Sequence, residues 1–137
     1  MRVIVTGHLG YIGTVLTPML VRAGHEVRGI DSDLYSRCTF AGGGPIREVA
    51  TIRKDVRDVS ADDLAGFDAV LHLAALSNDP LGDLKPGLTD EINHRASVRV
   101  ATLAKQAGVR RFILASSCSN YGQAGEGMIM RPARSIP

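Results

Sequence analysis

Gly7-His8-Leu9-Gly10-Tyr11-Ile12-Gly13 carries the most specific chemistry in this sequence. Its glycines lie between a short apolar run (Arg2 to Thr6, RVIVT) and a helical pattern. At that spacing they suit a tight turn, a close backbone approach to a pyrophosphate, and close packing of helix on strand. Free backbone donors at the helix N-terminus, drawn from the segment Leu9 to Gly13, would hold the phosphates with help from the helix's partial positive charge. Glycines also make ordinary turns, so the strand-turn-helix context is what gives the pattern its weight.

Asp31 directly follows a second strand-like run, Glu26 to Ile30 (EVRGI). It stands about 20 residues past the glycines, where a carboxylate can accept both ribose hydroxyls of an adenosine. A carboxylate there also repels a 2′-phosphate, which favours NAD over NADP. Arg28 and Arg37 are the counterweight, since a nearby arginine accommodates that phosphate. The bland alternative for Asp31 is a solvated turn residue. Asp55-Val56-Arg57-Asp58 follows a third run, Val49 to Lys54, and reaches the same sheet edge. There Asp55 can accept an adenine amino group and Val56 can offer backbone, although a helix-capping turn explains the segment equally well. Leu73-Ala74-Ala75-Leu76 closes a fourth run, Asp68 to Leu73, with small residues. A flat ring or a sugar could lie against that backbone, and plain strand packing is the competing reading.

Other candidates are weaker. His8, His25, His72 and His94 show no pairing that reads as a metal site. Cys38 and Cys118 have no metal-like spacing and read as free thiols; Cys118 is a candidate reactive thiol or a small hydrophobe. Arg95, Arg99, Lys105, Arg110 and Arg111 read as a solvated helix face whose start Asp90 and Glu91 balance.

The elements that must position these residues alternate between strand-length and helix-length segments. Tyr11 to Ala23 sets Ile12, Val15, Leu16, Met19 and Leu20 at helical spacing, with Pro18 inside it and Gly24 stopping it. Gly42-Gly43-Gly44-Pro45 marks a loop, and Ser60 caps a short helix. Asn78 to Gly87 reads as a turn-rich connection, Thr89 to Ala107 as the longest helix, and Arg111 to Ala115 as a fifth strand. Parallel neighbours need long crossovers, so the pattern predicts an α/β fold with a doubly wound parallel sheet, a Rossmann arrangement in order 3-2-1-4-5.

With 137 residues the chain is sized for one domain. Sixteen basic against 14 acidic residues, a net charge of +2, argues against a nucleic-acid or anionic-membrane surface. No apolar run is long enough to span a bilayer, and Met1-Arg2 leads straight into a strand rather than an export signal. The expected compartment is the cytoplasm.

Taken together, GHLGYIG, Asp31, Lys54 to Asp58 (KDVRD), His72 to Leu76 (HLAAL), Asn93 and SSCSNYG resemble the N-terminal half of NAD-dependent nucleotide-sugar epimerases and dehydratases. These belong to the extended short-chain dehydrogenase/reductase group. The likeness runs from Met1 to about Gly122, in the family's order. It implies NAD as cofactor, with Gly7, Leu9, Gly10, Tyr11, Ile12 and Gly13 at the pyrophosphate. Asp31 would take the adenosine ribose, Asp55 and Val56 the adenine, and Leu73, Ala74 and Ala75 the path to the nicotinamide. Asn93 falls on a structural or cofactor-proximal asparagine, although His94-Arg95-Ala96-Ser97 departs from the family's usual continuation. Ser117, four residues before Tyr121, matches the family's catalytic serine or threonine.

The family moves its proton with a tyrosine four residues before a lysine, whose charge lowers the tyrosine's pKa. Here Tyr11, Tyr35 and Tyr121 have Val15, Thr39 and Gly125 four residues on. The expectation is therefore an NAD(H)-binding domain over residues 1–122, an irregular tail over 123–137, and no substrate domain. Such a chain holds the cofactor without completing proton transfer. The alternatives are a half-enzyme completed by a partner chain, which would then bind a nucleotide-sugar, and a structural or regulatory module that has lost the ligand. Uncovered apolar faces predict a homodimer or larger, through the Thr89 to Ala107 helix.

Overall fold

Five runs of β-branched and other apolar residues become strands: β1 (Arg2–Thr6), β2 (Glu26–Asp31), β3 (Ala50–Arg53), β4 (Ala69–His72) and β5 (Arg111–Leu114). The computed structural model describes residues 1–36, 49–77 and 85–117. Within it the strands form a parallel sheet in the order β3-β2-β1-β4-β5, as expected for a doubly wound fold. Asp31, Thr6, His72 and Leu114 all end their strands at the same carboxyl edge. The Gly42 to Pro45 loop, Arg37, Cys38, Cys118, Tyr121 and the tail over 123–137 lie outside the described residues, as does the start of the turn-rich Asn78 to Gly87 connection.

Alternation along β1 covers both sheet faces. Val3 and Val5 join Ala69 and Leu71 beneath Leu16 and Leu20 of α1 (Tyr11–Arg22). Ile4, with Ile30 and Val70, points to the opposite face. There Val56, Val59, Leu64 and Phe67 pack with Ala96, Val100 and Ala104 of the last helix. Val56 opens a 3-10 turn (Val56–Asp58), and Leu64 ends the short α2 (Ala61–Leu64). Asp63 Oδ2 accepts both the backbone N–H and the hydroxyl of Ser60 at 2.8 Å, a reciprocal cap at the start of α2.

Two sequence expectations change. The apolar stripe of α1 does not all face the sheet: Ile12, Val15 and Met19 are exposed, while Gly13 and Thr17 are buried. Leu16 and Leu20 meet the sheet, and Gly13 lies against the backbone of the preceding turn. Second, the long helix begins earlier than Thr89 and is not uniform. Pro86 opens α3 (Pro86–Thr89), a π-helical stretch follows (Asp90–Arg95), and α4 (Ala96–Gln106) completes it. Proline at the first position costs no helical hydrogen bond. Pro18 sits inside α1 without ending it. No helix among the described residues is long and apolar enough to cross a membrane.

Candidate functional site

The glycine turn is built by backbone contacts that side chains would block. Gly7 adopts a φ of +74°, and a Cβ on it would stand 2.7 Å from Ala74 N. Its N–H donates to Ile30 O at 2.8 Å, which ties the turn to β2. Gly13 carries an ordinary φ, but its Cβ would sit 2.4 Å from Gly7 O and 2.5 Å from His8 O. These two glycines bring the first turn of α1 down onto the loop. Gly10 is the N-cap of α1, and no side chain caps that end. The amides of Tyr11, Ile12 and Gly13 thus begin a helix with no side-chain acceptor, the arrangement that holds anions.

Asp31 closes the other side of the turn. Its Oδ2 accepts Leu9 N–H at 2.9 Å and its Oδ1 accepts Asp33 N–H at 2.8 Å. Leu9 N–H is therefore committed to Asp31, and Gly10 N–H to Gly7 O at 3.1 Å. Both residues shape the loop, while Tyr11, Ile12 and Gly13 supply its outward donors. An ionised carboxylate offers about four acceptor positions. Two taken by backbone leave one on each oxygen of Asp31 for a further donor.

Of the two arginines weighed against Asp31, Arg37 lies outside the described residues and Arg28 is not beside it. Arg28 reaches over the Phe67 ring, 5.9 Å from its centroid, toward the opposite end of the sheet. Arg53, which no sequence motif singles out, lies next to Asp31 in the β2–β3 register and binds Asp33 Oδ2 at 3.3 Å. Only the pairing of β2 with β3 reveals it.

Asp55 caps the 3-10 turn by accepting Arg57 N–H at 2.8 Å. The Arg57 guanidinium adds bonds of 3.0 Å to Oδ1 and 2.8 Å to Oδ2. Hydrogen bonding to that guanidinium holds the Asp55 carboxyl below the usual carboxylate range. The side chain of Val56 is buried in the core, so only its backbone faces outward.

Beyond β4, a polar relay fixes Leu73, Ala74, Ala75 and Leu76. Ser97 Oγ donates to Asn93 O at 2.8 Å, so the 2.9 Å contact with His72 must be donated by His72 Nε2–H. That leaves His72 Nδ1 to accept from Thr6 Oγ1 at 2.8 Å. The ring is neutral, buried and stacked on Phe112, and burial pulls its pKa to about 4. Asn93 lies on the π-helical stretch. Its amide accepts Leu76 N–H and donates to Leu76 O, both at 2.8 Å. Of its two sequence readings the structural one is visible: the side chain fastens the segment after β4 to the helix. Ser117 is exposed three residues past β5, at the same edge.

Gly7, Gly13, Asp31 and the Leu73 to Leu76 segment thus converge on the carboxyl ends of β1, β2 and β4, where open α/β sheets bind ligands. A cradle of uncapped amides beside a backbone-anchored carboxylate fits a dinucleotide. Among the described residues no group of side chains could hold a metal ion.

Comparison with known proteins agrees with this geometry. A UDP-glucose 4-epimerase from Streptomyces lividans is 31% identical over 143 residues, covering 99% of this chain and 42% of that protein. The UDP-N-acetylglucosamine 4-epimerase from Methanobrevibacter ruminantium M1, solved with UDP-N-acetylmuramic acid, superposes with a TM-score of 0.81 at 25% identity. That match covers 99% of this chain and 44% of the epimerase. The UDP-glucose 4-epimerase of Thermus thermophilus, solved with NAD, gives a TM-score of 0.78 at 27% identity, covering 96% of this chain and 42% of that one. The chain spans less than half the length of each. Residues 3–135 match the NAD dependent epimerase/dehydratase family, and the chain belongs to that family.

Proposed function

We propose that this chain is the NAD(H)-binding portion of a nucleotide-sugar epimerase or dehydratase, with the binding unit over residues 1–122. The observation that carries this reading is the anchored Asp31 carboxylate facing the uncapped N-terminus of α1 across the glycine turn. Tyr11, Ile12 and Gly13 hold the pyrophosphate through backbone N–H groups. Asp31 accepts the adenosine ribose hydroxyls, and the Asp55-Val56 segment borders the adenine, with Asp55 sharing its carboxylate with Arg57. Leu73, Ala74 and Ala75 form the wall toward the nicotinamide, which when bound takes up or returns a hydride. Ser117 hydrogen-bonds the reacting hydroxyl or carbonyl of the sugar. Solved relatives that hold NAD and UDP-sugars support this assignment.

No tyrosine in these 137 residues precedes a lysine by four, so the proton has no carrier of the family's kind here. A specific observation favours completion by further polypeptide. Ile12, Val15 and Met19 of α1 are exposed, and so is Ile113, which pairs with Leu71 on the same sheet face. Along the α3–α4 stretch the exposed large apolar residue is Val98. Leu114 of β5 is exposed as well, on the side of the long helix, so both faces of that edge strand are open to self-association or completion. Apolar surface of this kind is what partner segments cover.

Saturating NAD is expected to raise the melting temperature of the folded chain, since a ligand binding only the native state must stabilise it. An unchanged melting temperature would identify a module that keeps the fold without the ligand. Epimerase activity that appears only on mixing with a polypeptide carrying the tyrosine-lysine pair is expected of a half-enzyme.

A further inference from the structure

His8, the second residue of the glycine turn, is 4% exposed, and its ring fills the space left by a missing side chain. A Cβ on Gly29 would stand 2.3 Å from the ring's Cγ, Nδ1 and Cε1. On one side Nε2 lies 2.9 Å from Thr51 Oγ1. Thr51 gives its single hydroxyl proton to Val49 O at 3.0 Å, so His8 Nε2–H is the donor in that contact. A neutral ring then leaves Nδ1 bare. Nδ1 is buried without a hydrogen-bond partner, 3.9 Å from Asp31 Oδ2. A buried lone pair facing a carboxylate oxygen, with no donor between them, is an unsatisfied arrangement. A proton taken from solvent onto Nδ1 turns the contact into an ion pair at 3.9 Å.

We propose that His8 is a positioning residue that sets the choice between NAD and NADP, acting through Asp31. With Nδ1 bare, Asp31 presents its full negative charge to the 2′ position and repels a 2′-phosphate. With Nδ1 protonated, the imidazolium charge 3.9 Å from Asp31 Oδ2 offsets that of the carboxylate, so the discrimination narrows. This rests on the reading above that Asp31 takes the adenosine ribose.

Among the described residues, the charged groups around the ring are few. Asp31 and Asp33 face it from the end of β2, and Arg53 of β3 is bound to Asp33. Burial pushes His8 below its ordinary 6.5, while Asp31, the Ile30 carbonyl and Asp33 pull it back. Protonation thus falls on the acid side of neutrality.

Calorimetric Kd values for NAD⁺ and NADP⁺ with wild type and His8→Gln at about pH 8 and about pH 5.5 test this. The second ionisation of the 2′-phosphate, near 6, affects both proteins alike. The NADP⁺-to-NAD⁺ Kd ratio is expected to narrow about fivefold more in wild type than in His8→Gln on acidification. An equal change in both overturns the proposal. Wild type that binds neither dinucleotide at about pH 8 overturns the ribose reading itself, and this inference with it. An NMR titration of the His8 ring needs no cofactor and guards against a misfolded variant. Its midpoint is expected to fall by about half a pH unit or more in Asp31→Asn, and an unmoved midpoint also overturns the proposal.

Discussion

Leu9 N–H donates to Asp31 Oδ2 at 2.9 Å, so the carboxylate that we propose takes the ribose also shapes the glycine turn. The bond spans 22 residues and joins the turn after β1 to the end of β2. A residue with both duties should show two separable losses. Asp31→Asn retains an acceptor for Leu9 and is expected to fold near normally, while weakening NAD binding about tenfold. Asp31→Ala also loses the turn contact, and is expected to lose about 1–3 kcal/mol of stability. Urea unfolding and NAD calorimetry on both variants separate the effects.

Gly13→Ala tests the close approach of α1. Its Cβ would stand 2.4 Å from Gly7 O, against backbone that has no flexible end to move. A loss of about 2 kcal/mol or more is expected from overpacking alone, read as a lowered melting temperature. Gly10→Ala, whose Cβ meets only Gly7 O at 3.2 Å, is expected to be milder in stability.

Asn93→Leu removes both bonds to Leu76 and leaves its N–H and C=O without partners. The expected cost is about 2–4 kcal/mol, the usual penalty for two orphaned backbone groups. Hydrogen exchange at Leu76 N–H should lose its protection. Asn93→Asp, which keeps the acceptor and loses the donor, is expected to fall between the two.

Acid should weaken the fold through His72. Its folded pKa of about 4 lies below the ordinary 6.5, so between those values the unfolded chain binds more protons than the native one. Stability is therefore full above about 6.5, falls as pH drops toward 4, and levels off below it. The expected loss across that window is about 3 kcal/mol, with His8 adding in the same direction. Urea unfolding at several pH values, with the His72 ring followed by NMR, checks both the size and the window.

The five strands and the sheet order could be read from sequence because short apolar runs alternate with helix-length spacers. Local pattern misled at α1, where Ile12, Val15 and Met19 keep helical spacing yet face outward. Close packing of the helix start on the turn requires Gly13 there, and Leu16 and Leu20 cover the sheet. The π-helical stretch that carries Asn93 was not legible, because side-chain periodicity does not report the backbone's hydrogen-bond register. For the site, Gly7, Gly13 and Asp31 announce themselves by spacing. His8 with Thr51, His72 with Thr6 and Ser97, and Arg53 with Asp33 meet only through strand pairing and the packing of α4. Nothing in their sequence separations foretells those contacts.

Whether the anchored turn and Asp31 form a working dinucleotide site is tested most directly by a fluorescence titration of NADH against the folded chain. Saturable binding with a Kd below about 1 mM, lost in Asp31→Ala, is the predicted result. A folded chain that shows no saturation up to about that concentration would contradict it.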